Sequence, residues 1–260
     1  MARRRSRARP IDDAAWARTL AALPFLRRRS QPDLDRLRAM AGEFLARKAI
    51  SGAAGFEPGD TVRASVAVQA CLPVLGLGLH WYADFVEVVV YPGAFAAARR
   101  EVDEAGVVHE WTDELAGESM QGGPIVLSWR DVRRAASEPG YNVVIHEFAH
   151  KLDLADGQAD GCPPMPRAQA AGWRDALEAA YASFVAQLDA VERAIPRHVD
   201  PDSTAADPYY RQLPLDPYAA TDPSEFFAVA SEAFFVDNAR FRQAFATLDE
   251  AMRGFYRQNP

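Results

Sequence analysis

Cysteine is nearly absent. The chain has two, Cys71 and Cys162, in 260 residues, and they form no CxxC pair, so neither a disulfide framework nor a two-cysteine metal knuckle is encoded. Cys71 sits in an apolar run and reads as a small core residue. Long hydrophobic runs are also missing. The greasiest segment, Ala64 to Leu79, contains Gln69 and Pro73 and is too short to span a bilayer comfortably. No secretory signal is expected, because Asp12 and Asp13 interrupt the start of the apolar run Ala14 to Leu26 and Arg18 breaks it. Positive charge is in deficit, with 29 Lys and Arg against 36 Asp and Glu and a net charge of -7. That balance argues against direct nucleic-acid or anionic-membrane partners. The exception is MARRRSRARP, with five arginines in ten residues, which reads as a disordered basic tail over residues 1–11. These absences together predict a cytoplasmic protein.

What is present is ordinary for a globular chain: 49% hydrophobic and 25% charged residues. Residues 12–260 read as a single domain. Apolar residues recur at helical spacing from Pro32 to Lys48, and Thr61 to Leu75 reads as a more buried helix. The period then changes. Phe85 to Tyr91 is β-branched and aromatic and ends at Pro92-Gly93, a strand signature. Val107 to Thr112 and Pro124 to Trp129 are further strands, separated by a loop from Ala116 to Gly123. Helices return at Tyr141 to Leu152, Ala168 to Val191, Pro223 to Phe235 and Arg240 to Tyr256. Two long Pro- and Asp-rich connections, Asp153 to Pro166 and Ile195 to Pro217, are of the kind that holds a site or a lid. The class predicted is α+β, mainly helical with a small, mostly antiparallel sheet.

Histidine is scarce as well, five in all, yet two of them stand four apart in VVIHEFAHKLD (Val143 to Asp153). On a helix, residues four apart lie one above the other, about 5–6 Å between Cβ atoms. His146 and His150 can therefore aim both imidazoles at one cation, which suits zinc at about 2.0–2.1 Å per bond. Glu147 lies about 100° round the helix, where it can touch a metal-held water without ligating the metal, the position of a general base. Chance places this HExxH pattern on the order of once per hundred chains of this composition. His80, His109 and His198 have no ligand spacing, and Trp81, Trp111 and Trp129 read as packing residues. For the third ligand the residues leave alternatives. Asp153 and Asp156 stand where a further glycine and histidine would define another zinc class, so Asp156 is an awkward candidate. Glu225 is another, although Asp222, Pro223 and Glu225 also read as a helix-capping box. Glu232, two turns on, is either a ligand or a partner of a ligating histidine.

The blocks QACLPVLGLGLHWY (Gln69 to Tyr82), VVVYPGAF (Val88 to Phe95), GGPIVLSW (Gly122 to Trp129), HEFAHKLD (His146 to Asp153) and DPYAATDPSEFFAVASEAFF (Asp216 to Phe235) resemble the Mlc titration factor A family of bacterial zinc peptidases, in order and over nearly the whole chain. The resemblance implies a zincin-like metallopeptidase holding one Zn²⁺ on His146, His150 and Glu225. It further implies Glu147 as base and Tyr218 as an active-site phenol, and it points to aminopeptidase activity on small peptides. The seven-residue Tyr-to-Glu spacing is also similar to the catalytic domain of anthrax lethal factor. Tyr218 precedes the helix start at Asp222, on a loop free to swing over the metal, where its hydroxyl can donate to an oxyanion. Asp153 and Glu232 are expected behind the ligands as supporting partners. By analogy with HExxH peptidases, Ile125, Val126, Leu127 and Ser128 are expected to form an edge strand that pairs with substrate backbone. The family is also associated with sequestering a DNA-binding transcriptional repressor. A regulatory binding protein is therefore the alternative function; an apolar patch near Phe241 and Phe245 could serve as its docking surface, although those two phenylalanines read more readily as core. The stretch from Asp153 to Asp216 departs from the family pattern in length and Pro/Asp content, which leaves the substrate pocket's shape open.

Overall fold

The change of hydrophobic period after residue 75 marks the passage from helix to sheet in the computed structural model. It describes residues 10–102, 108–115, 117–119, 122–135, 138, 140–201 and 203–260. Helices α1 (Asp13–Ala22) and α2 (Gln31–Arg47) start at Asp12 and Ser30, each accepting a backbone amide three residues on. Strand β1 (Ala49–Gly52), helix α3 (Asp60–Cys71) and strand β2 (Glu87–Tyr91) follow. Next come β3 (Phe95–Val102), β4 (Val108–Leu115), β5 (Gly117–Ser119) and β6 (Ile125–Ser128). Helices α4 (Trp129–Arg134), α5 (Val143–Asp153), α6 (Arg167–Ala194), α7 (Asp207–Tyr210), α8 (Pro223–Val236), α9 (Asn238–Ala244) and α10 (Ala246–Tyr256) complete the chain.

The α+β, mainly helical architecture is as the sequence predicts, but its sheet is not mostly antiparallel. Four strands lie in the order β1-β2-β6-β5, and two of the three pairings, β1 with β2 and β2 with β6, are parallel. Only β5 runs antiparallel to β6, and β3 with β4 forms a separate antiparallel ribbon. Parallel neighbours need a long crossover. Here α3 supplies one and the β3–β4 ribbon the other, and neither long-range pairing leaves a mark in local strand patterns. Three further expectations are corrected. Part of the predicted loop from Ala116 to Gly123 is β5. The predicted single C-terminal helix breaks at Phe245, whose backbone leaves the helical region (φ -133°, ψ 56°). Ile11, assigned to the basic tail, is buried and its carbonyl accepts from Arg38; Pro10 is exposed, and residues 1–9 of that tail lie outside the described residues.

Two aromatic clusters set the helices that carry the chemistry. Behind α5, the Phe148 ring packs among Phe44, Tyr82 and Phe85 at centroid distances of 5.8, 4.9 and 5.9 Å. The buried Tyr82 hydroxyl is satisfied by the Ala70 carbonyl at 2.9 Å. Lys151, also buried, reaches Asp84 and the Gly123 carbonyl, at 3.3 and 3.1 Å, and so ties the loop before β6 to α5. Behind α8, Phe226, Phe227, Phe234 and Phe235 are buried against Trp173, Phe241, Phe245 and Tyr256. Phe241 and Phe245 are therefore core, and the docking patch considered there does not exist. Cys71 is a buried free thiol, as expected. Among the described residues, no helix is long and apolar enough to cross a membrane.

Because Phe148 is fully buried and roots the HExxH helix, Phe148→Ala should lower unfolding free energy by about 3–5 kcal/mol in urea titrations. A loss below about 1 kcal/mol would mean that this cluster does not hold α5 in place.

Candidate metal centre and active site

Helix α5 starts cleanly. Asn142 caps it by accepting the Ile145 amide at 3.0 Å, and its own side-chain amide donates to buried Gln69 at 2.8 Å. One turn later His146 and Glu147 emerge, and His150 follows one turn further on. Helix α8 starts at Asp222, whose carboxylate accepts the amides of Ser224 and Glu225 at 2.8 and 2.9 Å. With the cap supplied by Asp222, the Glu225 side chain is turned to the histidines.

The Nε2 atoms of His146 and His150 are 3.1 Å apart, and Oε2 of Glu225 lies 3.1 and 3.3 Å from them. Ligands placed about 2.0–2.1 Å from one tetrahedral ion would be about 3.3–3.4 Å from each other, so the triangle is that of one face of such a site. Oε2 of Glu225 is buried and makes no well-formed hydrogen bond despite those neighbours. The three atoms are close enough to one another to share one ion. Among the described residues this is the one His/Glu group able to hold a metal ion. Asp156 is not part of it; its carboxylate accepts the Gln158 amide nearby.

Behind the triangle, Oε1 of Glu232 lies 2.8 Å from Nδ1 of His146, while its other oxygen accepts the Asn142 backbone amide. This partner orients the imidazole and presents Nε2 forward. Asp153 supports the other histidine indirectly. It accepts from the Ser224 hydroxyl at 2.7 Å and from the Gly161 amide at 2.9 Å, and Ser224 Oγ lies 3.2 Å from Nδ1 of His150. Ser224, Asn142 and Gln69 were not singled out in the sequence. Only Asn142 carried a signal, a capping residue ahead of an apolar helix.

The electrostatics follow from burial and from these pairs. Burial alone would raise Glu225, but the two imidazoles outweigh it and hold its pKa well below the usual carboxylate range. Burial opposes the charged form of His146, yet Glu225 and Glu232 overcome it and hold that pKa well above the ordinary value. Burial raises Glu147, with His146 and His150 partly offsetting the effect. Tyr218 lies in a short 3₁₀ turn, Pro217–Ala220, and not on a free loop. Its backbone is pinned by Asp216 and Thr221, and the turn by Tyr181, which donates to the Ala220 carbonyl at 3.0 Å. Its ring stays 53% exposed, 6.1 Å from that of His146. Partial burial and the charges of Glu225 and Glu147 push the phenol's pKa up, so at neutral pH it is a protonated donor.

Strand β6 cannot serve as the substrate edge. Val126 is paired with Val89 on one side and Glu118 on the other; Ile125, Leu127 and Ser128 are buried, and Ser128 caps α4. The outer strand is β5. At Gly117 an added Cβ would lie 2.3 Å from Oε1 of Glu147, so only glycine lets this backbone pass so close to the proposed base.

A family model for the glucose-regulated metallo-peptidases M90 matches residues 1–257. Mlc titration factor A of Escherichia fergusonii is 38% identical over 250 residues, 96% of this chain and 88% of that protein. The proteins of the same name from Salmonella gallinarum and Salmonella typhimurium are 37% identical over 250 residues, with the same coverage. With a match that spans the metal triangle, the capped α8 and the aromatic clusters alike, this chain belongs to the M90 family of glucose-regulated metallo-peptidases.

Proposed function

We propose that this metallopeptidase-family protein is a zinc-dependent peptidase, of aminopeptidase type on small peptides. The observation that carries the reading is the triangle of His146, His150 and Glu225 at near-tetrahedral spacing, with a buried carboxylate beside it. Two imidazoles and a carboxylate with one position left open are the donor set of catalytic zinc, which supplies Lewis acidity that acidifies water and polarises a peptide carbonyl. Glu147 takes the proton of the attacking water on its carboxylate and returns it to the leaving amine. A pKa raised by burial suits a group that must do both. The Tyr218 hydroxyl donates to the oxyanion that forms on the carbonyl oxygen. Strand β5 replaces Ile125 to Ser128 as the backbone platform for an extended peptide, since it lies at the end of the sheet order and its Gly117 backbone passes against Glu147.

A second reading rests on the relatives' name, which says that they titrate Mlc. This chain would then bind a DNA-binding transcriptional repressor, with or without turnover, and that partner would place it in the cytoplasm. Glu147→Gln separates the two. Cleavage of aminoacyl and internally quenched peptides should vanish while zinc stays near one per chain by elemental analysis and repressor binding persists. Full cleavage by the variant would remove the proposed base.

Tyr218→Phe should lower kcat about 100–1000-fold with little change in KM; a pure KM effect would instead make Tyr218 a binding residue. Glu232→Gln should weaken zinc about 10–100-fold in chelator competition, and unaltered affinity would reduce its contact with His146 to packing. N-methylation of successive backbone amides of a substrate should raise KM at alternate positions if β5 pairs with it. Uniform tolerance would take the peptide off that edge.

A further inference from the structure

Away from the metal centre, none of whose residues line it, lies a cavity of about 170 Å³ between the start of α2, the turn after α3 and the C-terminal segment. Three guanidinium groups, Arg29, Arg36 and Arg257, line it with a single carboxylate, Asp33, in a chain whose net charge is -7. Asp33 is already engaged. It lies 3.3 Å from Nη1 of Arg36 and accepts from the Ser30 hydroxyl at 2.7 Å. Arg36 is held further by the Leu75 carbonyl at 3.1 Å.

Arg29 is not satisfied. Its Nη1 donates to Gln258 at 3.3 Å, but Nη2 is buried and has no partner. Burial lowers its pKa to about 10, with Asp33 pulling the other way. A buried guanidinium nitrogen left unpaired is costly, more so than a neutral donor. Arg257 makes no ion pair among the described residues, and it adopts a left-handed backbone (φ 52°) that turns the chain end over the cavity. The wall is built to close there. At Gly76 an added Cβ would fall 2.4 Å from the Tyr256 carbonyl oxygen, so the C-terminal segment lies directly on this turn, and Gln258 is fixed by the Leu72 carbonyl at 2.8 Å. This gives the run PVLGLG a purpose that the metal centre does not explain.

We propose that this cavity is a binding site for a small phosphate-bearing anion, either inorganic phosphate or a phosphate monoester. Planar guanidinium forks match tetrahedral oxyanions, and three of them against one engaged carboxylate leave an excess of positive charge suited to a dianion. The ligand meets the exposed guanidinium groups of Arg36 and Arg257, with Arg29 adding positive charge from the wall, and clamps the C-terminal segment to α2.

The test is calorimetric titration and thermal unfolding of the zinc-loaded protein with inorganic phosphate and with glycerol phosphate, against sodium chloride at matched ionic strength. Phosphate should raise Tm beyond the chloride control. Arg29→Met and Arg257→Ala should each weaken binding about tenfold or more, and Asp33→Asn should tighten it several-fold. Arg257 is exposed, so its variant reads out binding even if Arg29→Met folds poorly. Tighter binding of glycerol phosphate identifies a monoester ligand, and equal or weaker binding identifies free phosphate. A phosphate effect no larger than that of chloride overturns the proposal. So does binding that survives Arg257→Ala, which would place the anion at the metal centre.

Discussion

One carboxylate joins the two helices on which the centre depends. Glu232, buried in α8, contacts Nδ1 of His146 with one oxygen and accepts the amide of Asn142, the cap of α5, with the other. The same group therefore fixes where the HExxH helix begins and how its first imidazole is turned. With Nδ1 facing Glu232, the ring presents Nε2 to the place it shares with Oε2 of Glu225 and Nε2 of His150. If α8 moved along its axis, the helix start, the imidazole orientation and the third ligand would all be lost together.

Such a centre is a burden on the fold. Glu147, Glu232 and Asp153 are buried, and Glu225 is mostly so. Four carboxylates around two imidazoles are tolerable only when each charge has a partner. The protein supplies most of them by paired devices: Ser224 and the Gly161 amide for Asp153, Asn142 and His146 for Glu232. The compensation comes from apolar contact. Aromatic rings back α5 and α8 on the sides away from the metal, where a large buried ring contributes several kilocalories per mole without geometric ambiguity. Rigidity at these two helices matters for the proposed chemistry because the proposed base and three candidate ligands must stay aligned to within fractions of an ångström.

The parallel centre of the sheet bears on function by an indirect route. Since β2 and β6 are interior strands, each is paired on both sides, and among the described residues the outermost strand next to the HExxH helix is three-residue β5. Its approach to Glu147 is close enough to exclude any side chain at Gly117. The proposed base and the proposed substrate platform meet at this one contact.

Local patterns determined a good deal by themselves. The helix over Val143–Asp153, the two histidines on one face of it, the capped start of α8 and its apolar bulk all follow from spacing and capping chemistry within a few residues. What spacing could not reveal is anything that depends on residues far apart in the chain meeting. Glu225 reads equally well as a cap, and only the packing of α8 on α5, 75 or so residues away in the numbering, turns it to the histidines. The three-residue β5 was invisible because so short a strand has no period of its own, and β6 was misread as an edge because pairing partners are a property of the sheet. Nothing in the pattern around Arg29 sets it apart from the neighbouring arginines. Its burial beside two other arginines was decided where the chain's end folds back on α2, a meeting for which no local rule exists.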